Sequence, residues 1–339
     1  MSAQVYDLKG KQEPVQTGQT VGLTQLLHQY SKPGPRYTSY PTIDQCSESV
    51  DQAAYVQALE GRKLGGLQRP MSLYVHIPFC ASVCYYCACN KVVTKKRDRV
   101  QEYLDMVLKE AEWVVNQSKS LTPVFQFHLG GGTPTFLNDL ELAQLVRSLE
   151  ALFVFDPHAE RSIEVDPRTV NQKRLKRLYE LGFNRLSFGV QDFDGYVQEA
   201  VHRVQTFESI SNLMKSAREI GFKSINVDLI YGLPLQTRKS FETTLQQLIK
   251  LDPDRVALYS YAHLPERFKP QRRIDAELLP QPAMKVEILE MAIQMMREAG
   301  YEYIGMDHFA KPTDSLAVAR RKGMLHRNFQ GYTTMPDAD

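Results

Sequence analysis

The chain has 339 residues, which is long enough to bury one large hydrophobic core with shorter appended segments. Its 41 Lys and Arg side chains nearly balance 39 Asp and Glu side chains, and the net charge of +2 gives no indication of a nucleic-acid-binding protein. Charged residues interrupt every apolar stretch, the N-terminus lacks the apolar run of a signal peptide, and five unevenly placed cysteines do not make a disulfide framework. We therefore expect a soluble, globular, cytoplasmic protein.

Residues 1–70 differ in composition from the rest of the chain. Pro33, Pro35 and Pro41 lie close together with aromatic residues between them, and this spacing predicts an extended segment rather than a helix or a central strand. Two interpretations stay open for it: a surface linker, or an N-terminal arm laid over the active site. A short helix is predicted to follow at 50–60.

From position 71 onward, short apolar stretches alternate with helical patterns. The predicted strands are 72–76, 125–129, 162–165, 185–188, 224–229 and 255–261. Apolar residues recur at helical spacing between them, on one face at Leu104, Val107, Leu108 and Ala111, and on another at Leu142, Leu145, Val146 and Leu149. A glycine stands where a helix C-cap is expected at Gly182, Gly221 and Gly300. The pattern predicts an α/β fold, an open (β/α)6 partial barrel over 71–310, with functional loops at the carboxyl ends of its parallel strands.

Three cysteines stand directly after the first predicted strand, at Cys80, Cys84 and Cys87. Structural zinc sites usually offer four nitrogen or sulfur ligands, often as two separated pairs, whereas here three thiols share one short loop. Three thiolates on a four-iron cluster leave one iron free to bind a small molecule. The intervening side chains do not indicate core packing, and the expected reduced compartment disfavours a disulfide. The spacing therefore predicts a [4Fe–4S] cluster, with zinc as the remaining rival.

Polar residues follow the next two predicted strands at their carboxyl ends. The glycine-rich turn at 130–132, with Thr133 after it, lets a ligand approach the backbone, and its N–H groups can cradle an anion or hold the polar ends of an amino acid. Glu164 and Asp166 end the third strand, and the two-residue alternation of a strand sends both side chains to one face. They are either ligand contacts or part of a barrel-rim salt bridge with Arg168.

The last three predicted strands end in further polar residues. Gln191 and Asp192 end the fourth strand, and Arg203 follows. Asp228 lies within an apolar strand, where a carboxylate is costly unless it is paired or bound to a ligand, and we favour a ligand contact. His263 follows the sixth strand and is equally well interpreted as a structural or a catalytic residue.

Together these residues make the chain closely resemble the oxygen-independent coproporphyrinogen III oxidases, also called coproporphyrinogen dehydrogenases, of the radical S-adenosylmethionine (SAM) superfamily. The resemblance runs from position 35 to the end. The motifs that carry it are PRYTSYPT at 35–42, YVHIPFC at 74–80, CYYCACNK at 84–91, the turn at 130–132, IEVDPR at 163–168, GVQDF at 189–193, GMDHFA at 305–310 and HRNFQGYTT at 326–334. Cys89 and the proline-rich segment separate this family from its heme-chaperone-like relatives.

The resemblance implies the radical SAM type of partial barrel and a role for each matched position. Cys80, Cys84 and Cys87 would hold a [4Fe–4S] cluster, and Cys89 would lie nearby without ligating it. Two SAM molecules are implied. The first would contact Tyr74, Tyr86, Gly131 and Glu164. The second would contact Gly132, Thr133, Gln191, Arg203, Asp228 and Ala262.

The resemblance also implies the reaction. Reductive cleavage of SAM gives a 5′-deoxyadenosyl radical, which abstracts a hydrogen atom from a propionate side chain; loss of CO2 and one electron then leaves a vinyl group. Two rounds convert coproporphyrinogen III to protoporphyrinogen IX in heme biosynthesis. The cofactors carry the radical, so no side chain need act as a base. The implied partners are coproporphyrinogen III and an electron donor such as a flavodoxin or ferredoxin. We expect a monomer, without nucleic acid or a membrane span.

The family continues beyond the point where this chain stops, into a largely helical C-terminal domain. Residues 311–339 are accordingly expected to be the truncated start of that region. We expect the chain to bind a cluster and to cleave SAM slowly, with little decarboxylation. The alternative functions are a radical SAM-like heme- or porphyrin-binding protein without decarboxylase activity, and an inactive fragment with zinc in the cysteine loop.

Overall fold

A computed structural model describes residues 49–61, 69–118, 123–328, 331–335 and 338, together with positions 25, 45 and 47. The proline-rich segment at 31–42 lies outside these residues, so both interpretations of it stay predictions. Residues 1–33 form a unit of their own, and every described residue except position 25 belongs to the unit 34–339. Helix α1, Gln52–Gly61, confirms the predicted helix at 50–60. None of the described helices is long and apolar enough to cross a membrane.

The centre of the fold is an eight-stranded sheet. In chain order the strands are β1 Met71–Ile77, β2 Phe79–Cys80, β3 Val92–Val93, β4 Val124–Gly131, β5 Phe155–Val165, β6 Arg185–Gln191, β7 Ser224–Tyr231, β8 Arg255–Ser260, β9 Glu302–Gly305, β10 His308–Ala310, β11 His326–Asn328 and β12 Gly331–Thr333. The large sheet has the order β1-β4-β5-β6-β7-β8-β10-β9. Its first six strands are parallel, and β10 is antiparallel to both of its neighbours. These six confirm the predicted strands, and within the described residues β1 pairs only with β4, so the barrel is open, as predicted.

Helices cover one face of this sheet. After α1 they are α2 Asp98–Ser118, α3 Asp139–Leu152, α4 Gln172–Glu180, α5 Gly195–Ala200, α6 Phe207–Ile220, α7 Arg238–Leu251, α8 Pro282–Glu298 and α9 Ser315–Arg321. The predicted apolar faces are buried; Leu104, Leu142 and Leu145 are at most 1% exposed, and each such side chain contributes roughly 1.5–3 kcal/mol. Asn138 caps α3 through its side chain. Gly221 ends α6 with a φ of 111°, which glycine adopts at least cost, confirming a predicted C-cap.

The strands separate an apolar outer layer from a polar barrel interior. On β6, Leu186, Phe188 and Val190 are fully buried in the core shared with the helices. The residues between them, Ser187 and Gly189, line a cavity inside the barrel. Because successive side chains of a strand point to opposite faces, one strand serves both the core and the interior. The functional side chains of the interior therefore stand on strands that the core holds rigid.

Residues after the barrel close its amino-terminal end. Asp314 caps α9 and accepts a hydrogen bond of 2.8 Å from Arg255, the first residue of β8, while Arg185 at the start of β6 lies 3.8 Å away. Thr333 of β12 donates to the side chain of Gln126 on β4 at 3.1 Å. These contacts join the segment after 310 to the barrel at the end opposite the carboxyl ends of the strands.

Candidate active site

The carboxyl ends of the parallel strands surround a cavity of about 310 Å³. Of the residues predicted to hold the cluster or SAM, all except Tyr74 and Ala262 line it: Cys80, Cys84, Tyr86, Cys87, Gly131, Gly132, Thr133, Glu164, Gln191, Arg203 and Asp228. They come from six separate segments of the chain, which a parallel sheet brings together at one edge. The fold thus unites the cysteine loop, the glycine turn and the strand-end acids in one chamber.

The cysteine loop is held at its start by backbone pairing and inside the cavity by polar side chains. Strands β2 and β3 are parallel, and the N–H of Thr94 donates to the carbonyl of Cys80 at 2.9 Å. The Cys80 sulfur accepts a hydrogen bond from the Thr133 hydroxyl at 3.3 Å. The Cys84 sulfur lies 3.4 Å from the Arg203 guanidinium and 3.6 Å from that of Arg168. The loop therefore presents sulfur atoms to a positively charged wall.

The cysteines of the loop differ in their readiness to ionise. Burial raises the pKa of the Cys80 thiol. A hydrogen bond from the Cys89 thiol and, to a lesser degree, the positive charge of Lys91 together lower the pKa of Cys87 to about 6, although burial acts in the opposite direction. The same contact raises the pKa of Cys89, which keeps its proton as the donor of the pair. This asymmetry agrees with Cys87 as a thiolate ligand and Cys89 as its neighbour.

The glycine turn after β4 fits closely against the cysteine loop. Gly131 has a φ of 119°, and its N–H donates to the Glu164 carboxylate at 3.0 Å. A Cβ on Gly132 would lie 2.5 Å from the carbonyl oxygen of Pro78 and 3.0 Å from the Cys80 sulfur. Only glycine lets the turn pack this closely against Pro78 and Cys80, so the turn forms a wall beside the cysteines.

Asp166, directly after β5, forms ion pairs with two arginines. Asp166 accepts from Arg168 at 2.7 Å, so the salt-bridge alternative is confirmed for this residue, and Arg203 lies 3.3 Å from the same carboxylate. Burial opposes the charge of Asp166, yet the hydrogen bond from Arg168 and the charge of Arg203 lower its pKa. Arg203 also donates to the carbonyl of Gly189 at 2.6 Å. It consequently ties the end of β5 to the end of β6 and to the cysteine loop.

The end of β6 is locally irregular. The pairing register with β7 shifts between Gly189 and Gln191, and Gln191 has a φ of 73°. Such a bulge redirects a side chain, and a left-handed conformation at a residue other than glycine is a strained feature that clusters at binding sites. Gln191 lines the cavity. The backbone strain is thus located at Gln191, which the resemblance assigns to the second SAM.

Asp228 is held inside the barrel by two neighbours on the same polar face. Ser187 donates to its carboxylate at 3.0 Å and Asn226 at 2.8 Å. Burial, followed by the negative charge of Glu164, raises the pKa of Asp228 to about 6, although both hydrogen bonds act in the opposite direction. A carboxylate in this state gains from a cationic ligand, because the ligand would relieve both unfavourable contributions.

Four predicted residues have different surroundings from the rest. Tyr74 lines a neighbouring groove and bonds His76 at 2.9 Å, and Ala262 accepts from Gln271 through its carbonyl at 3.2 Å. Asp192 is buried and bonds Gln236 and Thr244, each at 2.5 Å; His263 bonds Tyr261 at 2.8 Å. The structure therefore explains Asp192 and His263 by structural contacts.

Sequence analysis missed the residues that clamp the cysteine loop from a distance. His202 stacks on Tyr85 with ring centroids 5.1 Å apart, and its Nδ1 donates to the carbonyl of Val83 at 2.8 Å. Gln271 donates to the carbonyl of Tyr86 at 3.0 Å. No local pattern marks either residue, because each contacts a loop more than a hundred positions away. Ser187 on β6 and Asn226 on β7 could have been detected from the sequence, because each is a polar residue in an otherwise apolar strand.

The donor set fits an iron–sulfur cluster. Cys80, Cys84, Cys87 and Cys89 are free thiols, and all four line the cavity together with the glycine turn. Within the described ranges, no three His, Cys, Asp or Glu side chains converge as they would on one metal ion. The fit rests on the all-sulfur donors, the adjoining space and the arginines that balance negative charge.

Known proteins resemble the chain along nearly all of its length. It matches the Radical SAM superfamily over residues 74–248. Oxygen-independent coproporphyrinogen III oxidase of Escherichia coli is 49% identical over 316 residues, 93% of this chain and 68% of that protein, and the protein of that name from Helicobacter pylori is 47% identical over 307 residues, 90% and 67%. The solved structure of coproporphyrinogen III oxidase from Escherichia coli, described as a radical SAM enzyme, has a TM-score of 0.86 at 48% identity and covers 93% of this chain and 70% of that chain. The chain therefore belongs to the oxygen-independent coproporphyrinogen III oxidase family of the radical SAM superfamily.

Proposed function

We propose that the chain takes part in the oxidative decarboxylation of coproporphyrinogen III to protoporphyrinogen IX, in heme biosynthesis. The observation that carries the proposal is the shared chamber. The thiols of one loop, the glycine turn and three charged residues, Glu164, Arg203 and Asp228, line the same cavity on the carboxyl-terminal side of the sheet. The barrel at 71–310 would be the catalytic unit, with 1–70 as an arm and 311–339 as the start of a C-terminal region.

Cys80, Cys84 and Cys87 would hold a [4Fe–4S] cluster, leaving one iron open. When bound, the cluster and SAM supply the 5′-deoxyadenosyl radical that removes a hydrogen atom from a propionate side chain. Arg203 and Arg168 lie beside the Cys84 sulfur, and their charge would offset the negative charge of thiolates and sulfides. The hydrogen bond from Thr133 to Cys80 would orient that ligand.

Two groups of residues would hold two SAM molecules. Glu164, fixed by the Gly131 N–H at 3.0 Å, would accept from the amino group of the first SAM, with Tyr86 and Tyr74 beside it. The second SAM would occupy the side of the chamber lined by Gly132, Thr133, Gln191, Arg203 and Asp228, with Ala262 at its edge. Asp228 supports this assignment, because its raised pKa favours a positively charged ligand such as a sulfonium or ammonium group.

The remaining partners follow from the reaction. The substrate is a small tetrapyrrole, the electron would come from a flavodoxin- or ferredoxin-type donor, and we propose a cytoplasmic monomer that binds neither nucleic acid nor a membrane. Water must be excluded from the radical.

Isotope transfer tests the proposal directly. Coproporphyrinogen III deuterated at the reacting propionate carbons is incubated anaerobically with reconstituted protein, SAM and dithionite. Deuterium should enter 5′-deoxyadenosine, and a Cys84→Ser variant should form none of this product. This readout reports hydrogen abstraction even where CO2 release is slow. Deuterium-free 5′-deoxyadenosine in the presence of bound substrate would instead favour a porphyrin-binding protein without decarboxylase activity.

A further inference from the structure

A basic surface adjoins the cysteine loop on the outside of the barrel. We call residues 91–99 the return segment, because the chain comes back there from the loop through β3. Val92 and Val93 are 45% and 46% exposed. Lys95, Lys96 and Arg99 are exposed and make no ion pair with any residue that the structure describes. The segment thus places three unpaired positive charges, with Asp98 as the one acidic residue among them, beside two half-exposed valines.

The return segment is also hydrogen-bonded to the backbone of the cysteine loop. The N–H of Thr94 donates to the carbonyl of Cys80 at 2.9 Å, and the N–H of Val92 donates to that of Pro78 at 2.8 Å. Lys91 donates to the carbonyls of Cys87 and Cys89 at 3.1 and 3.2 Å. One hydrogen bond therefore separates the surface strand from the backbone of a cysteine whose sulfur lines the cavity.

Two exposed basic residues on the outer helices are ion-paired. Lys215 on α6 and Arg238 on α7 each lie 3.9 Å from a glutamate four residues later in the chain. Arg97, within the return segment, pairs with Glu141, so its charge is already neutralised and is not counted among the unpaired ones. An apolar centre with a charged rim is the usual anatomy of a transient protein interface, and unpaired charge of one sign selects a partner of the opposite sign.

We propose that the return segment is the docking surface for an acidic one-electron carrier protein. The inference rests on the proposed function, since cleavage of one SAM requires one electron from outside. On docking, the reduced carrier would lose one electron and the cluster would gain it, with no bond formed or broken between the two proteins. The pairing would be electrostatically steered, and therefore fast and salt-sensitive.

Charge reversal on the return segment tests the proposal. The variant Lys95→Glu/Lys96→Glu is compared with Lys215→Glu/Lys239→Glu, which changes the charge equally on α6 and α7. The probe is an acidic flavodoxin, and its Kd for the reconstituted protein is read from flavin fluorescence anisotropy at low and high ionic strength. The rate of cluster reduction by the photoreduced flavodoxin is measured by stopped flow.

We expect the return-segment variant to bind flavodoxin at least roughly tenfold more weakly at low ionic strength, with a matching fall in reduction rate and convergence at high salt. The control should bind like the wild type, and dithionite should support equal SAM cleavage in all three proteins. Equal flavodoxin affinity in both variants would overturn the proposal, as would a loss of dithionite-driven cleavage confined to the return-segment variant. Failure of dithionite to cleave SAM in the wild type would count against the proposed function, while the Kd comparison would still decide the docking surface.

Discussion

Replacement of Asp228 by Asn should make the ligand-free protein more stable at neutral pH. The carboxyl group has a pKa raised from the ordinary 3.8 to about 6, first by burial and then by the charge of Glu164. Between these two values the native state holds a proton that the unfolded chain has released, so stability falls as the pH rises through this window. A difference of about two pKa units corresponds to at most roughly 3 kcal/mol, a cost fully present above pH 6.

Urea unfolding measures this cost. At about pH 4 the wild type and Asp228→Asn should unfold at similar urea concentrations, because the native carboxyl group is protonated in the wild type. At pH 7 the variant should be more stable by about 1–3 kcal/mol. A difference between the two proteins that stays constant from pH 4 to pH 7 would refute the reasoning, since it would show that Asp228 does not titrate in this range.

Asp192→Asn provides a matched control. Asp192 accepts hydrogen bonds from Gln236, Thr244 and the backbone N–H of Asp194. An amide at this position would turn its NH2 group toward a donor, and the mismatch should destabilise the protein by about 1–3 kcal/mol. Burial raises the pKa of Asp192 as well, so opposite signs for the two substitutions would show that burial dominates at Asp228 and hydrogen bonding at Asp192.

The remaining predictions concern the cysteine loop, the two SAM sites and the base of the barrel. Gly132→Ala should abolish cluster binding, since its Cβ would lie 2.5 Å from a backbone oxygen, whereas Gly195→Ala, with nothing within 4 Å, should bind iron normally; equal iron contents would contradict the glycine wall. Cys89→Ser should retain the iron that Cys84→Ser loses, and equal loss would reject the three-ligand assignment. In holo protein, Asp228→Asn should spare SAM cleavage while slowing CO2 release, and Glu164→Gln should weaken the cleavage itself; equal effects on 5′-deoxyadenosine would reject the division into two sites. Asp314→Ala should destabilise the barrel by about 3–5 kcal/mol, because it leaves a buried arginine unpaired, and an unchanged unfolding midpoint would show that this ion pair does not stabilise the fold.

The strands of the barrel were predictable because their apolar residues alternate with helical patterns over short, regular distances. The β9–β10 hairpin is not among the six predicted strands. Its strands have four and three residues, and its turn depends on Gly305 and Met306, both with positive φ. Such short strands leave no periodic signal, and their pairing is decided by the neighbouring edge of β8.

The candidate site was predictable to the extent that its residues stand next to strand ends. Cys80 follows an apolar strand, Glu164 lies at the end of one and Asp228 within another, and their clustering follows from the parallel sheet. The clamps made by His202 and Gln271 could not be predicted, because their partners are 119 and 185 positions away. Long-range hydrogen bonds of this kind depend on the packing of whole elements, which no local pattern encodes.

The most direct test of the central claim is reductive cleavage of SAM by the reconstituted protein. Anaerobic protein carrying about four irons per chain, reduced with dithionite, should convert SAM to 5′-deoxyadenosine and methionine. The Cys84→Ser variant should form neither product. If the protein instead binds zinc through the three cysteines, or if fully iron-loaded protein leaves SAM intact, the assignment of the chamber as a radical SAM site is contradicted.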